Sequence, residues 1–78
     1  MNTITELVYQ DFPNGIKETE LAGYMGQQVS VKYYHYSHHS HHTEATGIVS
    51  LTDKNTVFVD NGGEGVFADE IRKFCLFP

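Results

Sequence analysis

The sequence predicts a small, mainly β protein, a five-stranded barrel preceded by one or two short helices. The first observation is a series of short apolar runs, rich in β-branched and aromatic residues, at 48–51, 57–59 and 66–67. Such residues suit the half-buried surface of a strand. The second is the pair of polar and glycine-rich segments between them, at 52–55 and 60–63. Asn-Gly and Gly-Gly pairs accept the positive φ angles of tight hairpin turns, so consecutive strands are expected to be antiparallel neighbours.

The N-terminal third predicts two short helices separated by a turn. Thr3 precedes Glu6 with the spacing of a capping box, which favours a helix there. The β-branched residues of the same segment also permit an edge strand, so both assignments stay open. The Pro and Gly of residues 12–15 predict a turn. Residues 18–25 form the second helix candidate, and Gly26 is placed to end it.

A long hairpin is predicted in the middle of the chain. Residues 29–36 begin with strict alternation of apolar and polar side chains, the signature of a strand. Residues 43–51 are expected to return antiparallel to it. The intervening residues 37–42 then form the tip of the hairpin, where chain is exposed. A helical turn at 68–71 and a last strand from Phe74 complete the prediction.

Length and composition predict a single soluble domain. A chain of 78 residues forms one domain, residues 1–78, with a compact core. The sequence contains no long apolar run and no basic N-terminal segment followed by an apolar one, so neither a membrane span nor a secretory signal is expected. Cys75, the single cysteine, lies among apolar residues and is expected to be a thiol in the core. These features predict a cytoplasmic protein.

The charge balance disfavours nucleic acid as a partner. Lys and Arg number 5 and Asp and Glu number 10, which gives a net charge of −5 with neutral histidines. Proteins that bind phosphates normally concentrate cations on one face. Here the cations are scattered along the chain: Lys17, Lys32, Lys54, Arg72 and Lys73.

The order of predicted elements resembles the SH3-like and Sm-like small barrels. Gly47, Val49 and Asp53 match the spacing of the first Sm motif, and Ile71-Arg72 match the start of the second. Lys73 replaces the glycine of that second motif, and Val57 stands where the family has its RNA-binding Asn. Small bacterial families such as the YolD-like proteins show a similar pattern. The resemblance implies a barrel fold and, as a third functional alternative, an Sm-like RNA binder that uses Arg72.

The histidine-rich tip is a candidate metal site. Neutral imidazole binds Zn, Ni and Cu, and Glu44 offers an additional oxygen ligand. On an extended strand, however, the histidines alternate between the two sides. The spacing matches no established ligand pair, so a solvated tip and a pH-sensitive contact are the alternatives. The candidate ligands are His35, His38, His39, His41, His42 and Glu44.

Aromatic residues beside the tip are a candidate interaction surface. Tyr33 is expected to face the core, whereas Tyr34 and Tyr36 face outward. Tyrosine is enriched at protein interfaces, and aromatics beside cations also stack on nucleic-acid bases. The predicted surface consists of Lys32, Tyr34, Tyr36 and Arg72.

Catalytic chemistry has little support in the sequence. The acidic pair Glu18/Glu20 is expected to face solvent. The pair Asp69/Glu70 is expected to begin a helical turn, where acids suit the positive end of the helix dipole. Ser40 lies beside histidines, but nothing supplies an oxyanion hole or an orienting acid. The glycine-rich residues 61–65 precede a strand, whereas a phosphate-binding loop precedes a helix.

These observations favour a non-enzymatic interaction module of the regulator or inhibitor type found in bacteria and phages. Its partner is expected to be a macromolecule, and the acidic balance points to a protein with a basic surface. Edge strands of such a barrel are able to pair between copies, so a homo-oligomer is one expected arrangement. The alternative is a metal-binding protein that uses residues 38–42.

Overall fold

The computed structural model describes residues 8–34 and 42–77, and their fold is mainly β, as predicted. Six antiparallel strands form one sheet in the order β1-β6-β2-β3-β4-β5. Within these residues, no helix has the length and apolar character needed to cross a membrane. The elements are β1 (Gln10–Asp11), α1 (Glu18–Ala22), β2 (Gln28–Tyr34), β3 (His42–Leu51), β4 (Val57–Asp60), β5 (Val66–Phe67), a 3₁₀ turn (Ala68–Glu70) and β6 (Ile71–Leu76).

Most predicted elements are present, with three differences in extent. The sheet has six strands rather than five, because the short β1 pairs with β6. The helix α1 ends at Ala22 rather than at residue 25, and turns continue to Gly26, whose φ is 81°. The last strand begins at Ile71, directly after the 3₁₀ turn, rather than at Phe74. The first helix candidate falls on residues 1–7, outside the described residues.

The two faces of the sheet are distinct. Val29 and Val31 of β2 are fully buried in the hydrophobic core, and Phe74 lies opposite Val31 on β6. Side chains alternate between faces along a strand, so Ser30 and its partner Cys75 lie on the opposite face. The core itself is formed by Ile16, Leu21, Val29, Val31, Val49, Val57, Val59, Val66, Ala68, Ile71 and Phe74.

The β2–β3 hairpin is confirmed, with β3 antiparallel to β2 from His42 to Ile48. Tyr33 is partly buried and contacts the core, as expected, since it continues the alternation of Val29 and Val31. The predicted tip and Tyr36 lie within residues 35–41, outside the described part of the chain.

The sheet is strongly curved, because β5 and β6 lie far apart in the strand order and yet only the three residues of the 3₁₀ turn connect them. The N–H of Ile16, before α1, donates to the carbonyl of Ala68 in the 3₁₀ turn at 3.1 Å. Gly15 adopts a φ of 88°, and a side chain there would collide with the backbone of Asp69. Only glycine combines that backbone angle with so close an approach. As a result, the segment before α1 lies against the 3₁₀ turn.

Candidate interaction cleft

An open cleft lies where α1, the start of β4 and the 3₁₀ turn meet. Its volume is about 520 Å³. Its walls come from both ends of the chain, joined by the hydrogen bond between Ile16 and Ala68. The lining residues, here called the acidic cleft, are Ile16, Glu18, Thr56, Val57, Phe67, Ala68, Asp69 and Glu70.

The floor of the acidic cleft is apolar. Ile16, Val57 and Ala68 are core residues that reach the cleft from below, and each is at least nine-tenths buried. Phe67 is 38% exposed, and its ring stacks on Phe58 with centroids 5.9 Å apart. The stacking fixes the ring from one side while leaving apolar surface available to a ligand.

The rim of the acidic cleft is negatively charged. Glu18 and Asp69 are exposed, and Glu70 is half-buried. Glu70 also accepts a hydrogen bond from the backbone N–H of Phe67 at 3.0 Å, which fixes its carboxylate beside the aromatic ring. The lining residues include no Lys or Arg. The rim therefore favours a cationic ligand and repels phosphates.

Sequence reasoning found these acids but not their proximity. Glu18 and Glu20 are both exposed, as expected, but only Glu18 lines the cleft. Its neighbours there, Asp69 and Glu70, come from the other end of the chain. The residue that allows the two segments to approach is Gly15, where a side chain would collide with the backbone of Asp69. The sequence alone does not show that this glycine contacts Asp69.

The predicted tyrosine and cation surface is divided between two strands. Lys32 and Tyr34 are half-buried and lie on the face of β2 away from the core. The Lys32 Nζ atom lies 5.0 Å from the centre of the Tyr9 ring, a cation–π contact. Arg72 is the extra residue of a bulge in β6, and its guanidinium donates to the carbonyl of Asp69 at 2.6 Å.

Another, smaller cleft of about 400 Å³ is lined by Arg72 and Lys73 together with Asp11 and Pro13. The Lys73 Nζ atom and the Asp11 carboxylate form an ion pair at 2.5 Å. One of the two cations there is thus already neutralised. The cleft is a weak candidate for phosphate recognition, because its acid competes for the same cation.

Cys75 is buried, as expected, but on the face opposite the hydrophobic core. It lies opposite Ser30, whose hydroxyl is 2.8 Å from the Tyr9 hydroxyl, so Tyr9 covers both residues. Burial raises the pKa of the Cys75 thiol above the ordinary value of 9.0, and the charge of Glu44 acts in the same direction. Hydrogen bonds from Ser30 and Tyr9 oppose this shift of the pKa only in part. The thiol is therefore protonated and a poor nucleophile at neutral pH.

The candidate metal ligands fall largely outside the described residues. Of the six, the structure gives Glu44, which is exposed on β3 opposite Lys32, and the backbone of His42. Among residues 8–34 and 42–77, no group of three or more His, Cys, Asp or Glu side chains is arranged so that it could hold a metal ion. The metal site stays a prediction.

Comparison of the chain with protein families, with curated proteins and with solved structures finds no match. The likeness to SH3-like and Sm-like barrels therefore stays a prediction, and the site itself has to carry the functional argument.

Proposed function

We propose that the protein is a non-enzymatic interaction module that binds a segment of another protein in the acidic cleft. The segment carries a Lys or Arg beside an aliphatic or aromatic side chain. The observation that carries the proposal is the union of an apolar floor, including the exposed ring of Phe67, with the carboxylates of Glu18, Asp69 and Glu70.

The two parts of the cleft have different roles. Each exposed ion pair contributes at most about 1 kcal/mol, so the rim selects the partner and accelerates its association. The larger share of affinity comes from covering Phe67 and the floor beneath it, at about 25 cal/mol per Å² of apolar surface. The acids also oppose the RNA-binding alternative, because phosphates are repelled at this position.

A peptide titration tests the proposal. The probe is a synthetic peptide with one phenylalanine flanked by lysines, and its control replaces the lysines by glutamates. We expect the lysine peptide to shift the amide resonances of Ile16, Val57 and Ala68, and the glutamate peptide to leave them unchanged. Added salt should weaken the complex, since exposed charges are screened.

A charge-matched pair of variants locates the site. Glu18→Gln/Asp69→Asn removes two rim charges and should reduce the binding free energy by about 1 kcal/mol. Glu20→Gln/Asp53→Asn removes the same charge at exposed positions outside the cleft and should have no comparable effect. Equal loss in both variants would show only a general charge effect and would contradict binding in the cleft.

A further inference from the structure

The first half of β3 has an edge with which no described strand pairs. β3 pairs with β2 from His42 to Ile48, but its pairing with β4 spans only Ile48 to Leu51. An unpaired edge presents backbone N–H and C=O groups that can accept another strand. Natural edges are commonly protected by Pro or by charged side chains, especially Lys. Residues 43–47 contain no Lys or Pro, and their single charged residue, Glu44, lies opposite Lys32 of β2.

The backbone of Val49 shows which residues face this edge. Its carbonyl accepts from the N–H of Gly26 at 2.8 Å, and its N–H donates to Gln27 at 3.1 Å, so Val49 is turned toward the β2 side. Backbone groups of successive residues point to opposite sides in an antiparallel strand. Glu44 and Thr46 therefore direct their N–H and C=O groups to the open edge.

We infer that two copies of the chain pair along this edge, β3 against β3, about a two-fold axis at Ala45. Glu44 of one copy then lies opposite Thr46 of the other, and each of these pairs exchanges both of its N–H···O bonds. The two Ala45 residues meet at a non-hydrogen-bonded position, where the Cα atoms approach to about 4.5 Å and a small side chain fits. The two sheets become continuous through the interface.

Charge and the position of β4 select this register. An axis at Glu44 would place the two carboxylates directly opposite each other, which is destabilising. An axis at Thr46 would place Glu44 opposite Ile48, whose outward backbone groups are already paired with β4. The axis at Ala45 keeps Glu44 and Thr46 clear of both conflicts. It would place His42 opposite Ile48, so the pairing extends only over residues 43–47, where the edge is complementary to itself.

Substitutions at Thr46 test the register. Thr46→Glu would place a carboxylate opposite Glu44 and should raise the dimer dissociation constant by about two- to thirty-fold, the effect of two cross-strand pairs. Thr46→Lys should lower it by a similar factor. Ser50→Glu, on the same strand where β4 is already paired, is the control and should change nothing.

Sedimentation from about 10 μM to about 1 mM covers the affinity range expected for so short an interface. Amide spectra confirm that each variant is folded. A chain that stays monomeric over this range, or a dimer that responds alike to Thr46→Glu and Thr46→Lys, overturns the inference. Slow amide exchange of Glu44 and Thr46 that does not depend on concentration also overturns it, because the edge would then be covered within one chain.

Discussion

Gly47 allows the backbones of β3 and β4 to approach closely. It lies in β3 opposite Val29, and a Cβ atom there would collide with the backbone carbonyl of Asp60 at the end of β4. A strand normally gains from a side chain that packs on its neighbours, so glycine in this position marks a close approach of two backbones.

We predict that Gly47→Ala lowers the free energy of unfolding by about 1–3 kcal/mol, because β4 must move to admit the methyl group. Chemical denaturation measures the change. Gly63→Ala is the control, since a Cβ there meets only the side chain of Asn61 at 3.6 Å. It should change stability by less than about 0.5 kcal/mol. Equal losses in the two variants would contradict the close contact.

Cys75 gives a prediction about pH. The pKa of its thiol is higher in the folded chain than in the unfolded chain, mainly because of burial. Its contribution to stability is therefore complete below the ordinary thiol pKa and is lost as the pH rises through the folded value. The free energy of unfolding should fall more steeply above about pH 9 in the native sequence than in Cys75→Ser, which has no thiol to ionise.

Denaturant titrations of both proteins from about pH 7 to about pH 10 measure this difference. Tyrosines and lysines titrate in the same range but are common to the two proteins, so their effect cancels. Parallel pH profiles would mean that the thiol is as accessible to solvent in the folded state as in the unfolded state.

At the scale of elements, sequence reasoning succeeded where the signals were local. The hairpins joining β3, β4 and β5 follow from apolar runs and turn residues within a few positions of one another, and the 3₁₀ turn follows the same logic. β1 was not predicted, because Gln10 and Asp11 have no apolar pattern. Only their pairing with Phe74 and Lys73 of β6 makes them a strand. The acidic cleft was not predicted for a related reason, since its acidic residues come close together only in the folded, curved sheet.

The β2–β3 hairpin carries the metal hypothesis, which makes a distinct prediction. If residues 38–42 bind zinc, one equivalent should shift their amide resonances and that of Glu44 to a single new set. Replacing His38, His39, His41 and His42 by Ser should abolish these shifts. The same variant should still bind the lysine peptide, since the cleft is built by other elements. Weak shifts that never saturate would leave the tip as a solvated loop.

At the scale of the whole molecule, the net charge of −5 matters through its distribution. The carboxylates of the acidic cleft surround one apolar floor. The cations of β2 and β6 lie elsewhere and already have partners: Lys32 contacts Tyr9, Arg72 contacts Asp69, and Lys73 contacts Asp11. A partner with a basic segment would thus meet negative charge at the cleft. The β3 edge lies on another part of the sheet, so pairing of two copies would present two clefts.

Selection from a random peptide library tests the chemistry of the partner most directly. Peptides that bind the native protein would be counter-selected against Glu18→Gln/Asp69→Asn. We predict that the retained peptides are enriched in Lys or Arg next to an aromatic or aliphatic residue and that they shift the resonances of Ile16 and Ala68. Retained peptides without basic residues, or peptides that shift Lys32 and Tyr34 instead, would contradict binding in the acidic cleft.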